Sequence, residues 1–140
     1  MKASVLPFET ERLALRHFQK SDLDGVLAYC ALPEAQRYLD WKARDNVECR
    51  AALDGMIAQR RLNRPGDTLP LAVSRRSDGV LVGQASLRWT DATAGQSEVR
   101  FVFNPHYRRQ GFAAEALRAM LDIGFEHFGF HRIFARCGAT

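Results

Sequence analysis

The residues best suited to chemistry lie in one turn, within residues 104–117, where a strand pattern gives way to a helical one. The turn supplies two guanidinium groups and three small residues, namely Arg108, Arg109, Gly111, Ala113 and Ala114. Guanidinium donors match phosphate oxygens, and a helix that starts here directs its unpaired N–H groups and positive dipole end into the turn. The pattern therefore predicts a site for a phosphorylated cofactor, although a structural turn with a solvated arginine pair fits the same residue types.

The elements on both sides of the turn follow clear periodicities. Before it, Val99, Phe101 and Phe103 alternate with polar residues, which predicts a half-buried strand that Pro105 ends. After it, apolar side chains recur at helical spacing and comprise Leu117, Met120, Leu121, Phe125 and Phe128. The opposite helix face carries the charged residues Arg118, Asp122 and Glu126. We therefore expect a strand, an anion-binding turn and an amphipathic helix in succession.

The residues of the turn match a known family pattern. Arg108-x-x-Gly111-x-Ala113 resembles the acyl-CoA motif (Gln/Arg)-x-x-Gly-x-(Gly/Ala) of the GNAT superfamily of N-acetyltransferases. The longer run over residues 98–117, and Glu-Thr-Glu-Arg-Leu-Ala-Leu-Arg at residues 9–16, resemble the RimJ/RimL branch, which acetylates the N-termini of ribosomal proteins. The resemblance implies an α+β class domain with a three-layer α/β/α acyl-CoA N-acyltransferase (GNAT) fold and a mixed, mostly antiparallel sheet.

The resemblance also implies a reaction and a cofactor. The acetyl group of acetyl-CoA moves to a primary amine, either a protein N-terminus or a small amine, by direct attack in a ternary complex. A backbone N–H of Val102 or Phe103, at a bulge that splays this strand from its parallel neighbour, polarises the thioester carbonyl. The implied coenzyme-binding residues are Val102, Phe103, Arg108, Arg109, Gln110, Gly111, Phe112, Ala113 and Ala114.

The candidate general base is Glu98, which matches the glutamate that opens the family's motif strand. It could accept the amine proton directly or through water. The structural alternative is a carboxylate that pairs with Arg100, with Arg88 or with the end of a helix. His106 could shuttle protons or be a solvated loop residue. Glu115 lies in the first helical turn, where its charge favours the helix dipole.

The rest of the chain predicts a single domain, residues 1–140. The expected elements are a strand over residues 9–18, a helix capped by Ser21, a short helix over 34–39, a helix capped by Asn46, hairpin strands over 69–76 and 80–90, and a strand over 131–136. Gly79 suits the hairpin turn. In the second hairpin strand, Ala85, Leu87 and Trp89 should be buried, with Gln84, Ser86 and Arg88 on the polar face.

Composition narrows the function further. The formal charge of +4 suits an anionic partner, but the arginines are dispersed and match no nucleic-acid motif, so nucleic acid is not favoured. The absence of a long apolar run and of a signal-peptide core predicts a cytoplasmic protein with no membrane partner. The three cysteines, Cys30, Cys49 and Cys137, lack metal-ligand spacing, which predicts reduced, partly buried thiols and no metal site.

One departure from the family pattern concerns the final strand. The superfamily continues after it with a further helix and two more strands, and the sequence predicts a domain that is C-terminally truncated in this region. The alternative function is therefore a catalytically inactive acyl-CoA-binding or dimerising module, since an exposed strand near Ile133 invites pairing in a homodimer. An arginine-rich, RNA-associated protein without coenzyme is a third possibility.

Overall fold

The structure is a computed structural model that describes residues 6–30, 32–33, 45–91, 95–107 and 109–136. Six strands form one sheet whose spatial order follows the sequence. They are β1 Phe8–Glu9, β2 Leu13–Arg16, β3 Thr68–Arg75, β4 Leu81–Asp91, β5 Gln96–Phe103 and β6 Arg132–Arg136. The first five strands pair antiparallel, and β5 and β6 pair parallel. The predicted mixed, mostly antiparallel sheet is confirmed.

Helices connect the strands and cover both faces of the sheet. They are a 3₁₀ turn Lys20–Asp22, α1 Leu23–Leu27, α2 Asn46–Ala58, a 3₁₀ turn Pro105–Tyr107 and α3 Phe112–Asp122. A π-helical turn, Ile123–His127, continues α3. Gly129 then adopts φ 73°, so it ends the helix in the left-handed conformation common at helix C-termini. The predicted helix over residues 34–39, together with Trp41, lies outside the described residues.

Alternation along the strands divides the core between the two faces of the sheet. On β3, Leu71 and Val73 pack in the cluster that contains α3, whereas Ala72 packs in the cluster formed with α1 and α2. On β5, Phe101 and Val102 divide in the same way. Because successive side chains of a strand point to opposite faces, each helical layer has its own core, and the result is a three-layer domain.

Both predicted helix caps are displaced by neighbouring residues. The first helical segment is entered through a 3₁₀ turn in which the Gln19 N–H donates to the Asp22 carboxylate at 2.9 Å, so Ser21 is not the cap. At α2 the cap is Asp45, whose side chain accepts from the Glu48 N–H at 2.9 Å. An aspartate immediately before the first helical residue supplies the better acceptor for that N–H group, and Asn46 becomes the first helical residue.

Two burial predictions are wrong. Gln84 is buried rather than solvent-facing, because α1 and α2 cover that face of β4, and its amide oxygen accepts a hydrogen bond from the Tyr29 hydroxyl at 2.7 Å. Phe125 is 43% exposed, because it lies outside the stripe that α3 and the π-helical turn bury against the sheet. That stripe comprises Phe112, Ala116, Ala119, Met120 and Ile123. Leu117 and Phe128 pack at its margin.

Candidate functional site

The turn before α3 contains two residues in the left-handed region. Gly111 is the helix N-cap with φ 80° and ψ 6°, and Arg109 has φ 62°. Glycine adopts this conformation without strain, whereas a residue with a Cβ gives up roughly 1–2 kcal/mol there. Arg109 is therefore held in a strained conformation, a feature that is common where the backbone is shaped for a ligand. Arg108 lies outside the described residues.

The first turn of α3 presents backbone donors to solvent. The first intrahelical bond is from the Glu115 N–H to the Gly111 carbonyl at 3.2 Å, so the N–H groups of residues 112–114 precede the helical ladder. Ala113 and Ala114 are exposed and leave these donors accessible, and so are Arg109 and Gln110 beside them. Small side chains, free helix-end N–H groups and a nearby guanidinium suit the oxygens of a pyrophosphate. The residues present therefore fit the phosphorylated coenzyme that the sequence predicts.

The C-terminal end of β5 leads directly into this turn. The Asn104 N–H donates to the Val82 carbonyl at 2.9 Å, so it points towards β4. Backbone N–H groups alternate in direction along a strand, so the Val102 N–H points towards β4 as well. The N–H of Phe103 therefore points to the other side of the strand. On that side β6 pairs with β5 over Gln96–Arg100, and the described pairs stop there. Of the two backbone donors predicted, Phe103 is the one directed away from β4.

Gly83 allows β4 to approach β5 at this point. It lies opposite Phe103, and a Cβ at Gly83 would be 2.5 Å from the Val102 carbonyl oxygen and 2.9 Å from Phe103 Cα. No side chain fits at those distances without displacing backbone. The glycine therefore positions the backbone of Val102 and Phe103. The bulge expected in β5 falls beyond the described β5–β6 pairs and stays a prediction.

Glu98 lies on the same face of β5 as Val102. Its side chain is 16% exposed, and its Oε1 accepts from Arg100 Nε at 2.9 Å. It stands opposite Arg88 on β4 and Phe134 on β6. The ion pair that the sequence offered as the structural alternative is present with Arg100. A carboxylate held this way remains an acceptor, so the ion pair is compatible with either role.

Glu115 is held by two residues that the sequence reasoning did not place in the site. Its carboxylate accepts from the Thr10 hydroxyl, from the Arg12 N–H at 2.7 Å and from Arg12 Nε at 2.7 Å. Burial opposes ionisation of Glu115, but the hydrogen bonds from Thr10 and Arg12 outweigh it and lower its pKa. The sequence did contain a signal for Thr10 and Arg12, because both lie in the segment over residues 9–16 that resembles the family.

The aromatic residues beside the turn have structural contacts. His106 is exposed, its N–H donates to Asn104 Oδ1 at 2.9 Å, and its ring meets Tyr107 edge-on. Tyr107 lies 5.2 Å from the guanidinium of Arg75. A solvated His106 agrees with the loop interpretation of this residue.

Among the described residues, two cavities can be located. One of about 310 Å³ opens between α1 and the end of β5, and its lining includes Asp24, Leu81, Asn104 and Tyr107. Another of about 460 Å³ lies along the loop after α2, over residues 58–68. Neither of these two cavities is lined by residues 109–114, and at the start of α3 Arg109, Gln110, Ala113 and Ala114 are exposed.

Two negative findings apply to the part of the chain that the structure describes. No group of three or more His, Cys, Asp or Glu side chains there could hold a metal ion. None of its helices has the length and apolar character needed to cross a lipid bilayer. Cys30 and Cys49 are buried thiols, and burial raises the pKa of Cys30. Cys137 lies outside the described residues.

Comparison with known proteins identifies the family. A family model described as the acetyltransferase (GNAT) domain matches residues 12–140. The chain therefore belongs to the GNAT acetyltransferase family, and its curled, mixed sheet with flanking helices is the acyl-CoA N-acyltransferase fold. The family and the fold that the sequence predicts are both confirmed.

Individual relatives share most of this chain at low identity. The uncharacterized N-acetyltransferase YnaD of Bacillus subtilis (strain 168) is 27% identical over 128 residues, which cover 91% of this chain and 71% of YnaD. The crystal structure of a GNAT-family acetyltransferase from Bacillus anthracis superposes with a TM-score of 0.74 at 26% identity, covering 91% of this chain and 70% of that one. Spermidine N-acetyltransferase from Vibrio cholerae, solved with CoA and spermine, has a TM-score of 0.70 at 17% identity, covering 90% and 71%, and shows likeness of fold alone.

Proposed function

We propose that this chain transfers the acetyl group of acetyl-CoA to a primary amine by direct attack in a ternary complex. The observation that carries the proposal is the exposed start of α3, where Gly111 caps the helix in the left-handed conformation and the N–H groups of residues 112–114 remain available. In a chain of the GNAT family, that arrangement suits the pyrophosphate of the coenzyme. Gln110 and the guanidinium of Arg109 lie beside these donors, and Arg108 belongs to the same proposed set.

Acetyl-CoA supplies an activated acetyl thioester when bound. The N–H of Phe103, or that of Val102, would donate to the thioester carbonyl oxygen and stabilise the negative charge that develops there. The amine nitrogen would form a bond to the carbonyl carbon, the carbon–sulfur bond would break, and CoA would leave as a thiolate that takes a proton from solvent. Glu98 would accept the proton that the amine loses, directly or through water.

The charges around Glu98 bear on the choice of acceptor. Cross-strand partners share a face of the sheet, so Arg88 opposite Glu98 and Arg132 opposite Gln96 lie on the face that also carries Arg100. Arg88 and Arg132 are exposed. A polyamine would meet like charge along this face, whereas a protein N-terminus carries a single amine. We therefore propose a protein N-terminus, as in the RimJ/RimL branch, ahead of a polyamine.

The experiment begins with binding. Calorimetric titration of the full chain with acetyl-CoA and with CoA should show one saturable site, and Gly111→Val should weaken it while Gly55→Ala leaves it unchanged. Gly55 is a suitable control because a Cβ there has nothing within 4 Å. Absence of binding to a folded wild-type chain would refute the proposal.

Turnover separates an enzyme from a binding module. Release of CoA thiol should be measured with peptides that begin with Ala or Ser, with the same peptides blocked at the N-terminus, and with spermidine. Transfer to free N-termini supports the proposal, and transfer to spermidine alone overturns the proposed acceptor. Binding without any transfer would favour the acyl-CoA-binding or dimerising module, for which β6 offers an outer strand of the described sheet with Phe134 46% exposed.

A further inference from the structure

One ion pair joins the segment between β1 and β2 to the first turn of α3. Arg12 and Glu115 are 103 residues apart, yet Glu115 Oε1 lies 2.7 Å from Arg12 Nε. Glu115 Oε2 accepts from the Arg12 N–H and from the Thr10 hydroxyl. All of these donors lie in the segment between β1 and β2. The first turn of α3 is therefore tied to the sheet edge through a single carboxylate.

The Arg12 guanidinium also contacts the turn itself. Its Nη1 donates to the Gln110 carbonyl at 2.7 Å, and its centre lies 4.6 Å from the ring of Phe112. Between those residues, a Cβ on Gly111 would be 3.2 Å from Arg12 Nη2. One side chain thus contacts Gln110 and Phe112 and lies beside Gly111 at the point where the backbone enters α3.

These contacts determine where the charges and donors of the turn point. Glu115 carries a negative charge in the first turn of the helix that should receive a phosphorylated ligand. Without a compensating cation, its carboxylate would compete with the phosphate for the positive end of the helix dipole. Its oxygens instead face Arg12, whose guanidinium compensates the charge, and Thr10, whose hydroxyl donates a hydrogen bond. The Gln110 carbonyl is likewise directed towards Arg12. The Gly111 N–H, which belongs to the same planar peptide unit, therefore points the opposite way.

We propose that Arg12 is a positioning residue for the coenzyme. It holds the backbone of residues 110–112 and the Glu115 carboxylate in the arrangement that leaves the N–H groups of residues 112–114 available, and it acts through these groups rather than by contact with the ligand. The inference rests on the proposed coenzyme site and deepens it. A guanidinium is required, because a lysine ammonium cannot bond Glu115 and the Gln110 carbonyl in this fork geometry.

The test compares Arg12→Ala, Arg12→Lys and the control Arg76→Ala by calorimetric titration with CoA. Arg76 is a matched control because it is 44% exposed, against 42% for Arg12, and it donates to the Thr10 carbonyl of the same segment. Both Arg12 variants should bind CoA about tenfold more weakly, the size of one lost charge-assisted hydrogen bond. Arg76→Ala should stay within twofold. In turnover, KM for acetyl-CoA should rise while kcat at saturation stays within about twofold.

One further readout, which needs no ligand, makes the outcomes separable. Amide hydrogen exchange of residues 110–115 in the ligand-free chain should speed up in both Arg12 variants and stay unchanged in Arg76→Ala. If wild type does not bind CoA, the proposed function fails and this inference fails with it. If wild type binds CoA and either folded Arg12 variant binds as tightly, the inference alone is overturned. Full rescue by Arg12→Lys would mean that charge, not positioning, is what matters.

Discussion

Replacing Gly83 with alanine tests whether the backbone of β5 is the catalytic element proposed. The added Cβ would lie 2.5 Å from the Val102 carbonyl oxygen and 2.9 Å from Phe103 Cα, both of which are backbone atoms. Ordinary van der Waals contact begins at 3.4 Å, so the two strands must separate by about 0.9 Å at this point. The displacement falls on the residues whose N–H group should polarise the thioester.

The geometry sets the size of the expected effect. Overpacking of this kind costs roughly 1–3 kcal/mol of stability, which a folded domain can tolerate. A misplacement of about 1 Å at a reacting group can cost on the order of 100-fold in rate. We therefore expect Gly83→Ala to lower kcat by about 10- to 100-fold. The affinity for CoA should change less, because the phosphate-binding donors of α3 do not contact Gly83.

The assay needs a control for crowding as such. At Gly124 an added Cβ would also be 2.5 Å from a neighbour, but that neighbour is Ile133 Cδ1, the tip of a flexible side chain. Gly124→Ala should therefore lose stability without losing much kcat. Acetyl transfer, CoA titration and thermal melting would be measured for both variants and for wild type. A folded Gly83→Ala chain whose kcat stays within twofold of wild type would refute the reasoning.

The turn, the candidate base and one histidine each support a further prediction. Gly111→Val should weaken CoA binding more than Arg109→Gln, because valine resists the left-handed backbone at φ 80°, and paired titrations that show equal losses would contradict this. Glu98→Gln should lower kcat by about 10²- to 10⁴-fold with little change in CoA affinity, and an unchanged kcat would exclude Glu98 as the base. Burial and then the charge of Arg60 lower the pKa of His17 below 6.5. The unfolded chain therefore takes up a proton before the folded one, and stability falls as the pH drops below about 6.5. When the pH is lowered through this range, the melting temperature of His17→Asn should fall less than that of wild type. An identical pH dependence in the two proteins would refute the assignment of this effect to His17.

The local sequence was sufficient to predict those features of the structure that depend only on residues close together in the chain. The strand before the turn and the helix after it were predicted, because strand and helix periods are local patterns. Glycine turns are also local, because few residues besides glycine adopt positive φ readily. Gly79 in the hairpin follows the same rule, with φ 76°. The family motif gave these local features a function.

Some local predictions failed because they ignored competing neighbours. Ser21 and Asn46 are good capping residues, but Gln19 with Asp22, and Asp45, occupy the positions that the caps require. Gln84 has the polarity of a solvent-facing residue, yet it is buried and satisfied by Tyr29. Residue polarity alone does not show which face of β4 the helices cover, because that depends on the packing of the whole domain.

The sequence by itself determined the class of protein, the order of its elements and the turn that should hold the coenzyme, because these depend on residue type and short spacing. Tertiary structure decided the rest. It brought Arg12 to Glu115 across 103 residues and set Gly83 against the backbone of Val102 and Phe103. It also placed Arg88 beside Glu98 and Arg100 on the same face of the sheet. Such contacts depend on strand register and on helix placement over the sheet. Those arise from burying two apolar cores at once, which no short stretch of sequence specifies.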